Sequence, residues 1–181
     1  MKRFDKVVFI GFMGSGKSHA AKELSELTGW RLLESDDIIE RREKKTITKI
    51  FKDKGESYFR TIESKVIKDL LVKPQTIISL GGGAVCRKVN RSLIKKRAFV
   101  IWMNVTPDTI HKRTAKVKKR PLLEVDDPKK VIEELMTERE AFYKQCAHVI
   151  LDNNSGIVIN KLKKLPEIKQ LMVKLKKAKK V

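Results

Sequence analysis

The sequence predicts an α/β fold, a three-layer sandwich in which helices flank a five-stranded parallel sheet. Two observations lead to this prediction. Short β-branched runs alternate along the chain with longer segments whose apolar residues recur at helical spacing, which is typical of parallel sheets covered on both faces. The first strand also leads directly into a glycine-rich loop and a helix, the order found at the ligand-binding edge of such sheets.

Five short runs have the composition of buried strands. They lie at Lys6–Ile10, Arg31–Glu34, 76–80, 98–103 and 148–151. Each is rich in β-branched, aromatic or leucine side chains, and the first and third end directly at glycines. The segments between consecutive strands differ in length, but each is long enough to hold a helix.

The helices are predicted from apolar spacing and from residues that begin or end helices. They cover Lys17–Thr28, 38–72 with a break near 54–56, Pro128–Cys146 and about 156–164. Gly29 ends the first of them. Thr106 followed by Pro107 marks another helix start, because threonine caps a helix and proline fits its first turn. Residues 117–127 are charged and irregular.

The composition indicates one folded domain with a strong positive charge. The chain has 181 residues, 41% of them hydrophobic, and a formal net charge of +20. Such a chain can bury a sizeable core and is too apolar to be disordered. No apolar run approaches the roughly 18 residues of a membrane span, and Cys86 and Cys146 form no metal-binding pair. No secretion signal is recognised, so we expect a cytoplasmic location.

Residues 11–18 read GFMGSGKS and fit the phosphate-loop pattern G-x-x-x-x-G-K-[ST]. Glycines let backbone N–H groups turn toward a phosphate, and the following helix adds its positive N-terminal end. We expect Lys17 to reach the β- and γ-phosphates and the Ser18 hydroxyl to bind Mg²⁺. The residues expected to contact the nucleotide here are Gly11, Met13, Gly14, Ser15, Gly16, Lys17, Ser18 and His19. The loop alone does not separate a kinase from an ATPase or a GTPase.

Residues 34–40, which read ESDDIIE, follow the second strand. Ligands gather at the carboxyl ends of parallel strands. A carboxylate there can take a proton from an acceptor hydroxyl or hold a water molecule on Mg²⁺. Acidic residues also complement the dipole at a helix start, so this run alone leaves both interpretations open.

Together, the GFMGSGKS loop and the ESDDIIE run resemble the corresponding motifs of the shikimate kinases. The resemblance to this family extends over about residues 6–160. That family's second strand ends in Asp-Ser/Thr-Asp, followed after two residues by Ile-Glu. The resemblance implies a fold of the nucleoside-monophosphate-kinase type and transfer of the ATP γ-phosphoryl group to the 3-hydroxyl of shikimate, a step toward chorismate and the aromatic amino acids. It implies that Asp36 is the general base. Glu34, one methylene longer than the family's Asp, would help to hold Mg²⁺ through water.

Three further segments resemble the family's acceptor site. Residues 55–60, GESYFR, match Gly-Glu-x-x-Phe-Arg, and residues 139–143, REAFY, match Arg-x-x-x-Tyr with Ala141 where the family often has proline. The third strand ends with Ser79, implied to reach Mg²⁺ through water, and then three glycines implied to lie against the bound ring. The implied acceptor-binding residues are Asp36, Arg60, Gly81, Gly82, Gly83 and Arg139. An arginine suits the acceptor carboxylate because its planar fork can pair with both oxygens.

Residues 113–123, RTAKVKKRPLL, resemble the family's lid. The resemblance implies that Arg120 closes over the phosphates and stabilises the charge on the transferring group. It places Arg113 against the adenine, where a planar cation can stack. Residues 152–155, including Asn153, occupy the place of the adenine loop. A closed lid would exclude water from the reaction.

We therefore expect a single kinase domain over residues 1–181. Its core would be about 1–34, 66–111 and 127–165, with an acceptor-binding segment at 35–65, a lid at 112–126 and a lysine-rich tail at 166–181. ATP and Mg²⁺ are the expected cofactors and shikimate is the expected small-molecule partner. A monomer without a specific nucleic-acid partner is expected.

Two alternatives remain from the sequence. The first is a kinase of the same fold that acts on another acceptor, such as gluconate or a nucleoside monophosphate. The second is an ATP-dependent nucleic-acid-binding module, supported by the nine lysines and single glutamate of residues 161–181. The sequence does not decide whether this tail folds against the core.

Overall fold

All five strands lie in one parallel sheet in the computed structural model, which describes residues 4–115 and 126–178. The strands are β1 (Lys6–Ile10), β2 (Arg31–Glu34), β3 (Thr76–Ser79), β4 (Phe99–Asn104) and β5 (Val149–Asp152). Their order is β2-β3-β1-β4-β5, and every neighbouring pair is parallel. Because β1 is central, the loop that follows it leaves from the middle of the carboxyl edge of the sheet.

Helices cover both faces of the sheet and complete the three layers. Those described are α1 (Lys17–Thr28), α2 (Ser35–Glu43), α3 (Ile47–Leu70), α4 (Lys88–Arg97), α5 (Pro107–Thr114), α6 (Pro128–Cys146), α7 (Ile159–Lys164) and α8 (Pro166–Ala178). Side chains of α3, α4 and α6 form one core with the sheet, and those of α1, α7 and α8 form a second core on the opposite face. The predicted three-layer fold is confirmed.

The central strand shows why the sequence folds in this way. Val7 and Phe9 belong to the core beneath α1, whereas Val8 and Ile10 belong to the core beneath α3. Successive strand residues point to opposite faces, and all five residues of β1 are buried. A continuous apolar run is therefore required here, rather than an alternation of apolar and polar residues.

The predicted helix after β2 is two helices. It begins at Ser35, three residues earlier than predicted, and is interrupted after Glu43, where Lys44 adopts a left-handed conformation with φ of 52°. Thr46 then caps α3 by accepting a hydrogen bond from Lys49 N. The predicted break near 54–56 is confirmed, because Gly55 departs from helical geometry within α3.

Helix α4 is absent from the sequence prediction because its pattern is weak. Five of its ten residues are basic, and only Asn90 and Ile94 are buried. Other differences are small. β4 and β5 each begin and end one residue later than predicted, β3 ends one residue earlier, and α7 begins at Ile159. The limits of α6 and the cap of α5 by Thr106 are confirmed.

The lysine-rich segment is helical through Ala178 and packs on the core. Ile168 and Leu171 of α8 are buried with Leu24 of α1 in one apolar cluster. The apolar side chains at the start of α8 are thus buried in the core of the protein. Among the helices of the described ranges, none combines the length and apolar character needed to cross a membrane.

Candidate functional site

The phosphate loop joins β1 to α1 at the carboxyl edge of the sheet. The Lys17 side chain folds into the loop, where Nζ donates hydrogen bonds to Gly11 O at 2.9 Å and to Phe12 O at 2.8 Å. A cavity of about 310 Å³ opens beside it. It is lined by Met13, Gly14, Gly16, Lys17, Ser18, His19, Glu34, Asp36, Ser79, Leu80, Gly81 and Gly82. Residues predicted from three separate segments thus surround one space.

Three oxygen-bearing side chains meet at the start of α1. The Ser18 hydroxyl donates to Glu34 Oε2 at 3.0 Å, and it lies 3.4 Å from Ser79 Oγ. All three were expected near Mg²⁺, and the structure places them together beside the phosphate loop. No group of three or more His, Cys, Asp or Glu side chains in the described ranges is arranged to hold a metal ion. These hard oxygen donors fit Mg²⁺, which commonly uses few protein ligands and completes its shell with phosphate oxygens and water.

Asp36, at the start of α2, lines the same cavity as Lys17. Its Oδ1 accepts a hydrogen bond from Ser35 Oγ at 3.2 Å, and Ser35 Oγ accepts one from Gly81 N at 2.9 Å. Burial raises the pKa of Asp36, while the nearby Lys17 ammonium opposes that rise. A carboxylate with a raised pKa is a stronger base than an ordinary aspartate, which suits it to accept a proton.

The glycine triplet gives the neighbouring side chains room to approach the backbone. A Cβ atom at position 81 would lie 2.6 Å from Asp36 Oδ1, and one at position 83 would collide with the Arg60 guanidinium. A larger residue at either position would therefore displace Asp36 or Arg60. This close approach explains glycine at positions 81 and 83 despite its entropic penalty, and a Cβ atom at position 82 would lie 3.2 Å from the backbone nitrogen of Met13.

Arg60 is held in place by two glutamates of its own helix. Its NH1 donates to Glu63 Oε2 at 2.8 Å, and its NH2 donates to Glu56 Oε1 at 3.0 Å. Glu63 is 1% exposed, and its Oε1 has no hydrogen-bond partner among the described residues. Burial raises the pKa of Glu63, with Arg60 opposing the rise. Glu63 is not among the residues predicted from the sequence, although its i, i+3 spacing from Arg60 indicates an ion pair on one helix face.

Arg139 approaches the same region from α6. It is 6% exposed, its guanidinium lies 5.7 Å from the centre of the Phe12 ring, and its Nε has no hydrogen-bond partner among the described residues. One turn along α6, Tyr143 donates from its hydroxyl to Gly82 O at 2.6 Å, which fixes α6 against the glycine triplet. The charges of Arg139 and Arg60 both oppose the rise in the pKa of Cys86 that burial causes. Both guanidinium groups therefore lie close enough to Cys86 to influence its pKa.

The remaining predicted residues are placed as follows. Arg113 donates from NH2 to Asn153 O at 2.8 Å and to Asn154 O at 3.0 Å, joining α5 to the loop after β5. The imidazole of His19 is exposed at the rim of the cavity and lies 3.8 Å from Glu23. Arg120 and most of the predicted lid lie outside the described residues.

Comparisons with known proteins agree with this geometry. The family model described as shikimate kinase matches residues 13–167. The chain is 38% identical over 166 residues to a shikimate kinase of Francisella tularensis subsp. holarctica, covering 91% of this chain and 94% of that protein. It is 39% identical over 166 residues to a shikimate kinase of Francisella philomiragia, with the same coverage.

Solved structures give the same result. Shikimate kinase from Acinetobacter baumannii in complex with shikimate is similar with a TM-score of 0.80 and 30% identity, over 95% of this chain and 90% of that one. A gluconokinase from Sinorhizobium meliloti has a TM-score of 0.52 at 14% identity, over 96% of this chain and 95% of that one, and shares the fold alone. Family model, sequence relatives and the arrangement of the cavity thus agree, and the chain belongs to the shikimate kinase family.

Proposed function

We propose that this protein transfers the γ-phosphoryl group of ATP to the 3-hydroxyl of shikimate, giving shikimate 3-phosphate and ADP on the route to chorismate and the aromatic amino acids. The observation that carries the proposal is the position of Asp36. This carboxylate has a raised pKa and lines the same cavity as the phosphate loop. It also packs against Gly81. The next residue, Gly82, accepts a hydrogen bond from Tyr143 of α6, the helix that carries Arg139.

The phosphate loop supplies the ATP end of the reaction. Its backbone N–H groups and the start of α1 attract phosphate oxygens, and Lys17 exchanges its two carbonyl partners for the β- and γ-phosphates. Positive charge at this point stabilises the electron density that moves to the leaving ADP. Arg120 would add to it, and that role stays a prediction.

The acceptor end needs a base and a clamp. The 3-hydroxyl oxygen bonds to the γ-phosphorus as the bond from phosphorus to the β–γ bridging oxygen breaks, and the hydroxyl proton passes to Asp36. Arg60 and Arg139 would pair with the shikimate carboxylate, which selects against uncharged polyols. Holding both reactants in line contributes much of the rate.

We further propose that Ser18, Glu34 and Ser79 hold Mg²⁺, the glutamate and Ser79 through water. The bound ion would neutralise phosphate charge. Glu34→Gln should raise the Mg²⁺ concentration for half-maximal activity by about tenfold, in line with losses of outer-shell metal contacts. A Mg²⁺ titration at saturating ATP and shikimate measures this shift. Glu26→Gln, an exposed change on α1, is the matched control, and an unchanged titration for Glu34→Gln would remove Glu34 from the metal site.

Glu63→Gln should raise the Michaelis constant for shikimate by about fivefold, with turnover largely kept. The glutamine still accepts from the Arg60 cation, but the attraction between two opposite charges is lost, so the arginine is held less firmly. Steady-state kinetics at varied shikimate measure this change. Glu56→Gln removes the exposed partner of Arg60 and should have a smaller effect. Equal effects of the two variants would contradict the positioning role of Glu63.

ADP release with Mg²⁺-ATP, with and without shikimate and beside gluconate and AMP, tests the function itself. We expect strong stimulation by shikimate alone. ATP binding without such stimulation would reject the acceptor and keep only the nucleotide site. The monomeric state, the cytoplasmic location, and the division into core, acceptor segment (35–65) and lid (112–126) stay predictions.

A further inference from the structure

Asn153, the first residue after β5, packs against the phosphate loop from a position outside the cavity. It is 3% exposed, and its Nδ2 donates to Ser15 O at 2.8 Å. Its backbone N–H donates to Asn104 O at 2.9 Å, and its carbonyl accepts from Arg113 at 2.8 Å. Neither Asn153 nor Ser15 lines the cavity. The side-chain amide of Asn153 therefore binds the backbone of the phosphate loop, while the Asn153 backbone is itself held by Asn104 and Arg113.

This contact fixes the direction of one peptide group. The Ser15–Gly16 peptide is planar and trans, so its C=O and N–H point in opposite directions. Since Asn153 holds the Ser15 carbonyl on the outer side, the Gly16 N–H is directed to the opposite side, where Gly16 lines the cavity. An N–H in that position can bind a phosphate oxygen, as in anion nests of this kind.

The contact from Asn153 matters because the flexible backbone of Gly16 does not by itself fix the orientation of the Ser15–Gly16 peptide. Gly16 adopts φ of 87°, and glycine populates positive and negative φ about equally readily. A turned peptide would present the Ser15 carbonyl to the phosphates, with electrostatic repulsion instead of a hydrogen bond. A Cβ atom at position 16 would lie 2.5 Å from Asn153 Nδ2, so the glycine that permits this approach also requires an outside restraint.

We propose that Asn153 is a positioning residue for the nucleotide phosphates. Its side-chain amide holds the Ser15–Gly16 peptide in the phosphate-binding orientation, and its carbonyl links that peptide to Arg113 at the end of α5. This goes beyond the role of residues 152–155 beside the adenine, since the side chain acts through the backbone of the phosphate loop. The inference rests on the proposed ATP-binding function.

Asn153→Asp tests it with almost no change in shape. The carboxylate oxygen that replaces Nδ2 would face the Ser15 carbonyl and repel it. We expect the dissociation constant of ADP, measured by calorimetry, and the Michaelis constant for ATP to rise about tenfold or more, with that for shikimate within about twofold. Asn160→Asp, an exposed change of the same charge on α7, is the control and should leave all three constants within about twofold.

Asn153→Ala removes the donor without adding charge and decides the question if the aspartate variant does not fold. Its ADP dissociation constant should rise about fivefold. The inference is overturned if a folded variant binds ADP as tightly as the unaltered protein, or if the shikimate constant rises as much as the ATP constant. Calorimetry with ADP needs no phosphoryl transfer, so failure of the proposed acceptor would leave this result unaffected.

Discussion

Replacing Asp36 with asparagine should lower turnover about 1,000-fold while ATP affinity stays within about twofold. Asparagine keeps the size of the side chain and an oxygen for the Ser35 hydroxyl, so the packing against Gly81 is retained. The amide cannot take up the acceptor proton. Steady-state turnover and ATP-analogue binding, measured side by side, separate the loss of the base from damage to the nucleotide site.

Asp37→Asn is the matched control, because it makes the same change one residue along on an exposed position. It should keep turnover within about twofold. Similar turnover for Asp36→Asn and the unaltered protein would remove Asp36 from the role of base.

The pH dependence gives a second readout of Asp36. The proposed base must be ionised, so the raised pKa of Asp36 predicts that turnover falls as the pH is lowered through a value above the ordinary pKa of about 3.9. The effect on stability has the opposite direction. A carboxyl whose pKa is raised by folding stabilises the fold at low pH, and this contribution is lost as the pH rises. Asp36→Asn should therefore unfold at a higher temperature than the unaltered protein near neutral pH.

Arg60→Met should raise the Michaelis constant for shikimate about 100-fold, with little change in that for ATP. Each hydrogen bond to a charged group contributes about 1.5–3 kcal/mol, and the guanidinium can make two to one carboxylate, so about 3 kcal/mol is lost. Kinetics with each substrate varied in turn measure the ratio. Arg42→Met, which breaks the exposed 2.7 Å pair with Asp69, is the control.

Loss of Arg60 also leaves the buried Glu63 without its cation, which costs about 3–5 kcal/mol of stability. The double variant Arg60→Met/Glu63→Gln removes that charge and should recover much of the folding stability without recovering shikimate affinity. An unchanged shikimate constant in the folded double variant would contradict the clamp.

Much of the fold could be predicted because local signals and tertiary structure agree. Helix α6 begins at Pro128, behind the capping Asp127, and these two residues mark its start. Helix α4 could not be found in this way, since its fold depends on burying Asn90 and Ile94 rather than on a clear apolar stripe. A helix of this kind is stabilised mainly by its packing against the rest of the fold, which the local sequence does not show.

The candidate site divides in the same way. The phosphate loop and Asp36 belong to short motifs that can be recognised in the sequence alone. The contact from Asn153 to Ser15 joins residues 138 positions apart, so no local pattern marks it. The i, i+3 spacing of Arg60 and Glu63 indicates an ion pair, but the burial of Glu63, which makes this pair a firm restraint on Arg60, is seen only in three dimensions.

The packing of α8 on α1 bears on the order in which the molecule can assemble during synthesis. Lys17 and Ser18 belong to one of the first helices made, yet the apolar cluster beneath that helix contains Ile168 and Leu171 from the last helix described. Strand β1 likewise needs β3 and β4 as neighbours. Long-range pairing of this kind slows folding, so a ribosome-bound chain lacking α8 should bind nucleotide weakly until that helix emerges.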